Sequence, residues 1–474
     1  MRFDGARARV HESGEVIDGY TLVERTHLGG MAELWRVTHP ERAAPAMMKI
    51  PLLGEDPTAI VSFEVEQMIL PMLRGPHVPR WLASGAFETQ PYIVMEMLQG
   101  HSLRARLEQL PLAVEDVARI GARVAEALHE LHLQNVIHHD VKPSNIMFRP
   151  DGRAVLLDFG LARHERLPDL LAEQFRLPMG TGPYISPEQV LHNRGDTRSD
   201  LFALGVILYY FCTGTRPFGA PVSVRGLRRR LHEPTLPPRA LRPDLPAWMQ
   251  EIILRCLEVD PEMRYATAAQ LAFDLAHPES VVLTARAGAR RGQSSWSRWR
   301  RLAGRLVAKP ERRSITQQLG RAPIVLAAVD LTQEWEDLAE ALRDTAAQVM
   351  RAAPAARLAC VTVLRTARIA ADSPVDAQGM HRHVQRLVQL QHWARPLGMP
   401  GERLTFHVLE SPDPASAILE YAHNNQVSQI LIGSRGASTL RRYLGSVSTQ
   451  VVAEARCTVT VVKVPIAESA DETR

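Results

Sequence analysis

The run His138-His139-Asp140-Val141-Lys142-Pro143-Ser144-Asn145, with Asp158-Phe159-Gly160 after a short apolar stretch, constrains this chain more than any other part of it. A fold that uses these groups together must set a loop against the mouth of a neighbouring strand. Phosphoryl transfer needs a carboxylate to hold and deprotonate an attacking hydroxyl and a cation on the moving phosphoryl group. It also needs oxygen ligands for magnesium between the phosphates. Asp140, Lys142, and the pair Asn145 with Asp158 match those needs in that order. A zinc site at His132, His138, His139 and Asp140 is not expected. Adjacent histidines point apart on any regular element, and no cysteine is near. His138 reads instead as a packed group that shapes the loop.

A chain of 474 residues exceeds one ordinary core, so two or three domains are expected. Its 45% apolar and 23% charged content is that of a soluble globular protein. The net charge of +4 is mild and its basic surplus local, so no nucleic-acid partner is expected. Cys212, Cys256, Cys360 and Cys457 lie far apart without a CxxC pair. That argues against a disulfide framework and suits a reducing cytoplasm. The first residues lack the apolar core of a secretory leader. The longest apolar run, 201–212, is too short to cross a bilayer and reads as a buried helix.

Short strand-forming runs at 20–24, 34–38, 46–50 and 92–97 precede helical periodicity at 114–133, 248–257 and 266–275. This predicts one α+β unit over 15–279. Residues 280–321 form a basic linker in which arginine and lysine face a single acid, Glu311. From 322 to 466 the pattern alternates. Apolar strands at 323–329, 359–364, 404–409, 429–432 and 458–462 are separated by helical stretches such as 334–351 and 415–422. Such alternation predicts a parallel sheet with helices on both faces.

Within the first unit the motifs come in a fixed order. His27-Leu28-Gly29-Gly30-Met31-Ala32-Glu33-Leu34 is followed by Met47-Met48-Lys49-Ile50 and then by Tyr92-Ile93-Val94-Met95-Glu96-Met97. The Asp140 loop and Asp158-Phe159-Gly160 come next, and Gly180-Thr181-Gly182-Pro183-Tyr184-Ile185-Ser186-Pro187-Glu188 closes the series. The whole series resembles a eukaryotic-type (Hanks-type) serine/threonine protein kinase of the bacterial kind. The resemblance implies a bilobal kinase fold, ATP and Mg²⁺ as cofactors, and protein substrates bearing serine or threonine. It implies that Leu28, Gly29, Gly30 and Leu34 cover the phosphates, where glycine lets backbone N–H groups approach. Lys49 would contact the α- and β-phosphates, with Glu66 as its ion-pair partner and Glu64 as the second choice. Backbone groups near Glu96 and Met97 would meet adenine. Asp140 and Lys142 would act on the hydroxyl and the phosphoryl group, with Thr181 bonded near them, and Asn145 and Asp158 would hold the metal. Glu188 would pair with Arg264, and Asp200 would brace the loop.

Four departures qualify the resemblance. His27 replaces the first glycine of the phosphate loop, and Met47 stands where a small residue usually covers adenine. They are the best support for an alternative reading, a catalytically weak nucleotide-binding scaffold, against which stands the intact set Lys49, Asp140, Asn145 and Asp158. His139 replaces an arginine that in relatives pairs with an activation-segment phosphate. Between Asp158 and Gly180 there is no Ser, Thr or Tyr. An arginine clamp serves only if a phosphate arrives. Control by phosphorylation within that stretch is therefore not expected.

The second unit carries Val329-Asp330 at the end of its first strand, then Gly433-Ser434-Arg435-Gly436 and Gly445-Ser446-Val447-Ser448. These resemble the universal stress protein family, a Rossmann-like α/β fold with a five-stranded parallel sheet. The resemblance implies a second ATP site at Asp330, Gly433, Gly436, Gly445 and Ser446, or glycines that merely close a turn. It also implies a homodimer through this domain. In the linker, Trp296, Trp299, Leu302 and Leu306 share a helical face among arginines. Such a helix can make peripheral contact with an anionic membrane. A solvated tether is the preferred reading.

Overall fold

The computed structural model describes residues 11–53, 56–290, 323–331, 336–366, 381–434 and 445–464. The calls on Trp296, Trp299, Leu302, Leu306 and Gly436 fall outside them. Six antiparallel strands open the fold, in spatial order Val16–Ile17, Tyr20–Leu28, Ala32–His39, Arg42–Pro51, Tyr92–Glu96 and Trp81–Gly85. Strand side chains alternate between faces. Leu22, Trp35, Val37, Ala46, Met48 and Val94 therefore form one buried cluster on one face. Met47 and Lys49 turn to the other face, toward the second lobe. The strand Trp81–Gly85 (Trp-Leu-Ala-Ser-Gly) was absent from the sequence reading, because its small residues carry little strand signal.

The helix Pro57–Ile69 starts where Asp56 accepts from the Thr58 N–H, with proline at the first helical position. It packs against the sheet and carries Glu66. The helical lobe is built on Val114–Leu133, packed on Arg198–Thr213 and Ala268–Ala276. Arg198–Thr213 is buried nearly all round and stops at Gly214, whose φ of 71° is the left-handed turn glycine tolerates. Gly205 lets this helix touch Ala247–Cys256 closely, since an added Cβ there would lie 2.5 Å from the Cys256 Cβ. Gly205→Ala is expected to destabilise the protein by about 1–3 kcal/mol through overpacking, measured as a lowered urea midpoint. An unchanged midpoint would show that the two helices can separate freely.

Residues 284–289, assigned above to the linker, pack instead on the kinase-like unit. The helix Ala285–Gly288 docks on Ala247–Cys256, with Thr284 Oγ1 and Arg286 Nε each 2.9 Å from the Glu251 carboxylate. Their short, small-residue run hides a packing role that only the buried Glu251 reveals.

The second unit is a five-stranded parallel sheet in the order Leu404–Ser411, Arg357–Arg365, Ile324–Ala328, Gln429–Gly433 and Thr458–Val462. Successive residues of its central strand enter different cores. Val325 and Ala327 join the helices Glu336–Ala352 and Arg382–Ala394, while Ile324, Leu326 and Ala328 join Pro414–Asn424 and Ser446–Glu454. A strand covered on both faces reads as a continuous apolar run, as this one does. Cys212, Cys256 and Cys360 are buried and Cys457 is half-buried, all four unpaired. Burial pushes the Cys212 and Cys256 thiols up to about 12. Among the described residues no helix is long and apolar enough to cross a membrane.

Candidate active site

The loop carrying Asp140 is held from beneath by Asp200, whose Oδ2 accepts from the His138 N–H and Oδ1 from the His139 N–H, both at 2.9 Å. His132 Nε2 lies 2.9 Å from the same carboxylate. Asp200 is fully buried. Burial alone would raise its carboxyl, but the His132 hydrogen bond and nearby positive charge hold it down to about 2. A carboxyl depressed in this way stabilises the fold above pH 4, and that contribution is lost as pH falls toward 2. It amounts to about 2 kcal/mol. Asp200→Asn is expected to flatten the acid-unfolding profile between pH 4 and 2; an unaltered slope would assign the acid transition to other carboxylates.

His138 packs tilted against Phe159, ring centroids 5.2 Å apart, and its Nε2–H donates to the Leu157 carbonyl at 3.0 Å. It is a packed group shaping the loop. His139 and Asp158 both have left-handed backbone, φ 62° and 65°. Such conformations cost free energy in non-glycine residues and cluster at functional sites. Here they turn consecutive side chains to opposite sides. Phe159 enters the core while Asp158 faces the cleft.

Around the cleft, Lys49 Nζ lies 2.5 Å from Glu66 Oε2 and 2.9 Å from Asp158 Oδ1. Of the two glutamates weighed above, Glu66 therefore faces the lysine, and its Oε1 also accepts from the Phe159 N–H at 3.3 Å. Burial would lower the Lys49 ammonium, but Asp158 and Glu66 more than compensate and keep it cationic. The Lys49 charge, opposed by burial, holds the Asp158 carboxyl down to about 2.

Asp140 gathers the other groups. Its Oδ1 accepts from Thr181 Oγ1 at 2.7 Å and from the Thr181 N–H at 3.1 Å. Its Oδ2 lies 2.6 Å from Lys142 Nζ and accepts from Asn145 Nδ2 at 3.1 Å. Lys142 also donates to Thr181 Oγ1 at 2.9 Å. With Asn145 Nδ2 turned to Asp140, its carbonyl oxygen accepts from the Ser144 hydroxyl at 3.3 Å and keeps a second lone pair for another ligand. One carboxylate, Asp158, and one amide oxygen suit Mg²⁺, which keeps most of its shell as water and phosphate oxygens. Among the described residues no cluster of three or more His, Cys, Asp or Glu forms a metal cage.

Elsewhere the expected residues divide. Leu28, Gly29 and Gly30 sit at the strand turn over the cleft, closed by the Gly29 N–H donating to the Ala32 carbonyl at 2.9 Å; Leu34 lies on the next strand. The Glu96 N–H donates to the Arg80 carbonyl at 2.9 Å, so of the backbone groups expected near adenine that one is already engaged. Met97, next to it, is exposed. Glu188 and Arg264 form a buried bidentate pair at 2.7 and 2.8 Å. In the second unit, Asp330 lies two residues beyond the central strand Ile324–Ala328, and Gly445 and Ser446 open the helix Ser446–Glu454. An added Cβ at Gly433 would meet the Leu338 side chain at 2.9 Å, so packing favours a glycine there.

His139 is buried and donates Nε2–H to the Arg194 carbonyl at 3.0 Å. Burial, aided by Arg194, lowers its imidazole to about 3, so it is neutral and cannot clamp a phosphate. Sequence reasoning missed what braces the segment instead. Asp169 caps the short helix Leu170–Gln174 and accepts from Arg194 Nε at 3.0 Å. The one available signal was an aspartate preceding an apolar pair.

A two-lobed fold with an ion-paired lysine, a loop aspartate and a strand-end aspartate on one cleft defines a protein kinase. The protein kinase domain family matches residues 28–275, just over half of the chain, and the chain belongs to that family. The universal stress protein family matches residues 322–463. The chain is 33% identical over 265 residues to serine/threonine-protein kinase PknB of Mycobacterium tuberculosis, covering 54% of this chain and 42% of that protein. It is 32% identical over 265 residues to PknB of Mycolicibacterium smegmatis, with 54% and 42% covered. It is 33% identical over 273 residues to tyrosine-protein kinase MasK of Myxococcus xanthus, with 53% and 42% covered. The chain thus spans less than half the length of these relatives.

Proposed function

We propose that the chain transfers the γ-phosphoryl group of ATP to serine and threonine hydroxyls of proteins. The observation that carries this reading is the contact of Asp140 with Lys142, Thr181 and Asn145 across the cleft from Lys49, Glu66 and Asp158. Asp140 would orient the incoming hydroxyl and accept its proton, and Lys142 would neutralise charge on the phosphoryl oxygens. Lys49 would hold the α- and β-phosphates. Asn145 and Asp158 would hold Mg²⁺, which when bound supplies positive charge between the phosphates. Leu28, Gly29, Gly30 and Leu34 would cover the nucleotide, with adenine read near Glu96 and Met97 by groups other than the Glu96 N–H. A first domain from 15 through the helix Ala285–Gly288, a linker after it and a second domain over 322–466 belong to the same reading.

Lys142 favours serine and threonine over tyrosine. Incubation with labelled ATP, Mg²⁺ and a mixed protein substrate should place label on phosphoserine and phosphothreonine. Label on phosphotyrosine alone would overturn the specificity, and none at all the activity. The C-terminal domain is proposed to bind a second nucleotide beside Asp330, Gly445 and Ser446 and to pair with a second copy through Thr458–Val462. That strand ends the sheet opposite the kinase-facing edge. A cytoplasmic location is proposed from the unpaired cysteines.

A further inference from the structure

We propose that Glu173 is a positioning residue for catalysis, a carboxylate in the activation segment that the C-terminal domain grips to hold the segment assembled without a phosphate. This rests on the kinase reading above. Glu173 lies on the helix Leu170–Gln174, and every group that binds its carboxylate comes from the other domain. Arg357 Nη2 donates to its Oε1 at 2.5 Å and Tyr421 Oη to its Oε2 at 3.1 Å. His407 Nε2 lies 3.1 Å from the same Oε2. The backbone is held too. Asn425 Nδ2 donates to the Glu173 carbonyl at 3.1 Å, and Gln174 Nε2 to the Val408 carbonyl at 3.0 Å.

The grip is buried rather than a rim contact. Glu173 is 9% exposed and Tyr421 4%. Val384, Leu387 and Val408 of the C-terminal domain belong to the same apolar cluster as Leu170 and Leu171 of the segment. An exposed ion pair contributes little, but a buried carboxylate that loses its cation is left uncompensated. Burial would raise the Glu173 carboxyl, yet His407 and Arg357 hold it down to about 2, so it stays charged.

Two carboxylates thus pin one short helix. Arg194 of the kinase domain holds Asp169 at its start, and the C-terminal domain holds Glu173 near its end. That helix packs against Pro57–Ile69, the helix bearing Glu66. The segment therefore links the C-terminal domain to the Lys49–Glu66 pair. The site shows the assembled arrangement while gripped: Lys49 meets Glu66, and Thr181 meets Asp140. The segment has no hydroxyl before Gly180 to phosphorylate, and neutral His139 offers no cation, so a fixed charge gripped from outside supplies the missing anchor.

The test uses the full chain and two readouts, steady-state phosphorylation and amide hydrogen exchange across residues 170–179. Arg357→Ala is expected to lower kcat about tenfold, leave KM for ATP within about twofold, and speed exchange in that stretch. Arg357→Lys should recover most of the rate, and Tyr421→Phe, which removes one donor without bulk, should fall between. Wild-type kcat and exchange in Arg357→Ala and Tyr421→Phe would overturn the proposal, as would a higher kcat, which would make the contact inhibitory. If the wild type transfers no phosphate, the kinase reading fails separately. Exchange alone then decides the grip, and unchanged protection at 170–179 overturns it.

Discussion

Asp140→Asn is expected to reduce phosphorylation kcat about a thousandfold while leaving nucleotide affinity nearly unchanged. The substitution is isosteric, so the packing of the loop survives. What is lost is the base. An amide cannot take the proton of the attacking hydroxyl, and one of its two oxygens becomes an N–H donor. That donor faces either Thr181, already donating to Oδ1, or Lys142 and Asn145, which surround Oδ2. Titration with a non-hydrolysable ATP analogue separates binding from turnover. If wild type and variant label substrate equally, the scaffold reading prevails, because the groups around Asp140 would then have no chemistry to serve.

The second large effect is structural. Arg264→Ala is expected to destabilise the protein by roughly 3–5 kcal/mol, because it leaves the Glu188 carboxylate buried without a cation. For a domain of this size that is a fall in Tm of roughly 10 °C. The partner substitution, Glu188→Gln, should cost less. Arg264 also donates to the backbone carbonyls of Glu258, Arg198 and Val259, whereas Glu188 otherwise has only the Ser199 hydroxyl. Thermal unfolding of both variants checks the order. Equal losses would mean that the carbonyls contribute nothing to holding the guanidinium.

Much of the site was legible because its chemistry is local or ordered. Asp140, Lys142 and Asn145 share one loop, and the spacing to Asp158 leaves few folds able to join them. The choice of Glu66 over Glu64 was legible as well, since Phe63 opens the inward face of an apolar-periodic helix. The two parts of the chain were separable by pattern, antiparallel runs before helices in one and strict alternation in the other. What stayed hidden depends on contacts far apart in sequence. Nothing about Glu173 or Arg357 distinguishes either from a solvated surface charge until the fold sets them 2.5 Å apart. The helix Leu170–Gln174 is too short for a period to show.

The burial of three cysteines gives the protein an intrinsic reporter. Cys457, immediately before the sheet's last strand, is half-buried against the core and burial raises its thiol, so a thiol-reactive dye added to the native chain reacts there slowly, ahead of the three buried cysteines. Each opening of the interior exposes further sulfurs, so the stoichiometry of dye incorporation counts unfolding events directly.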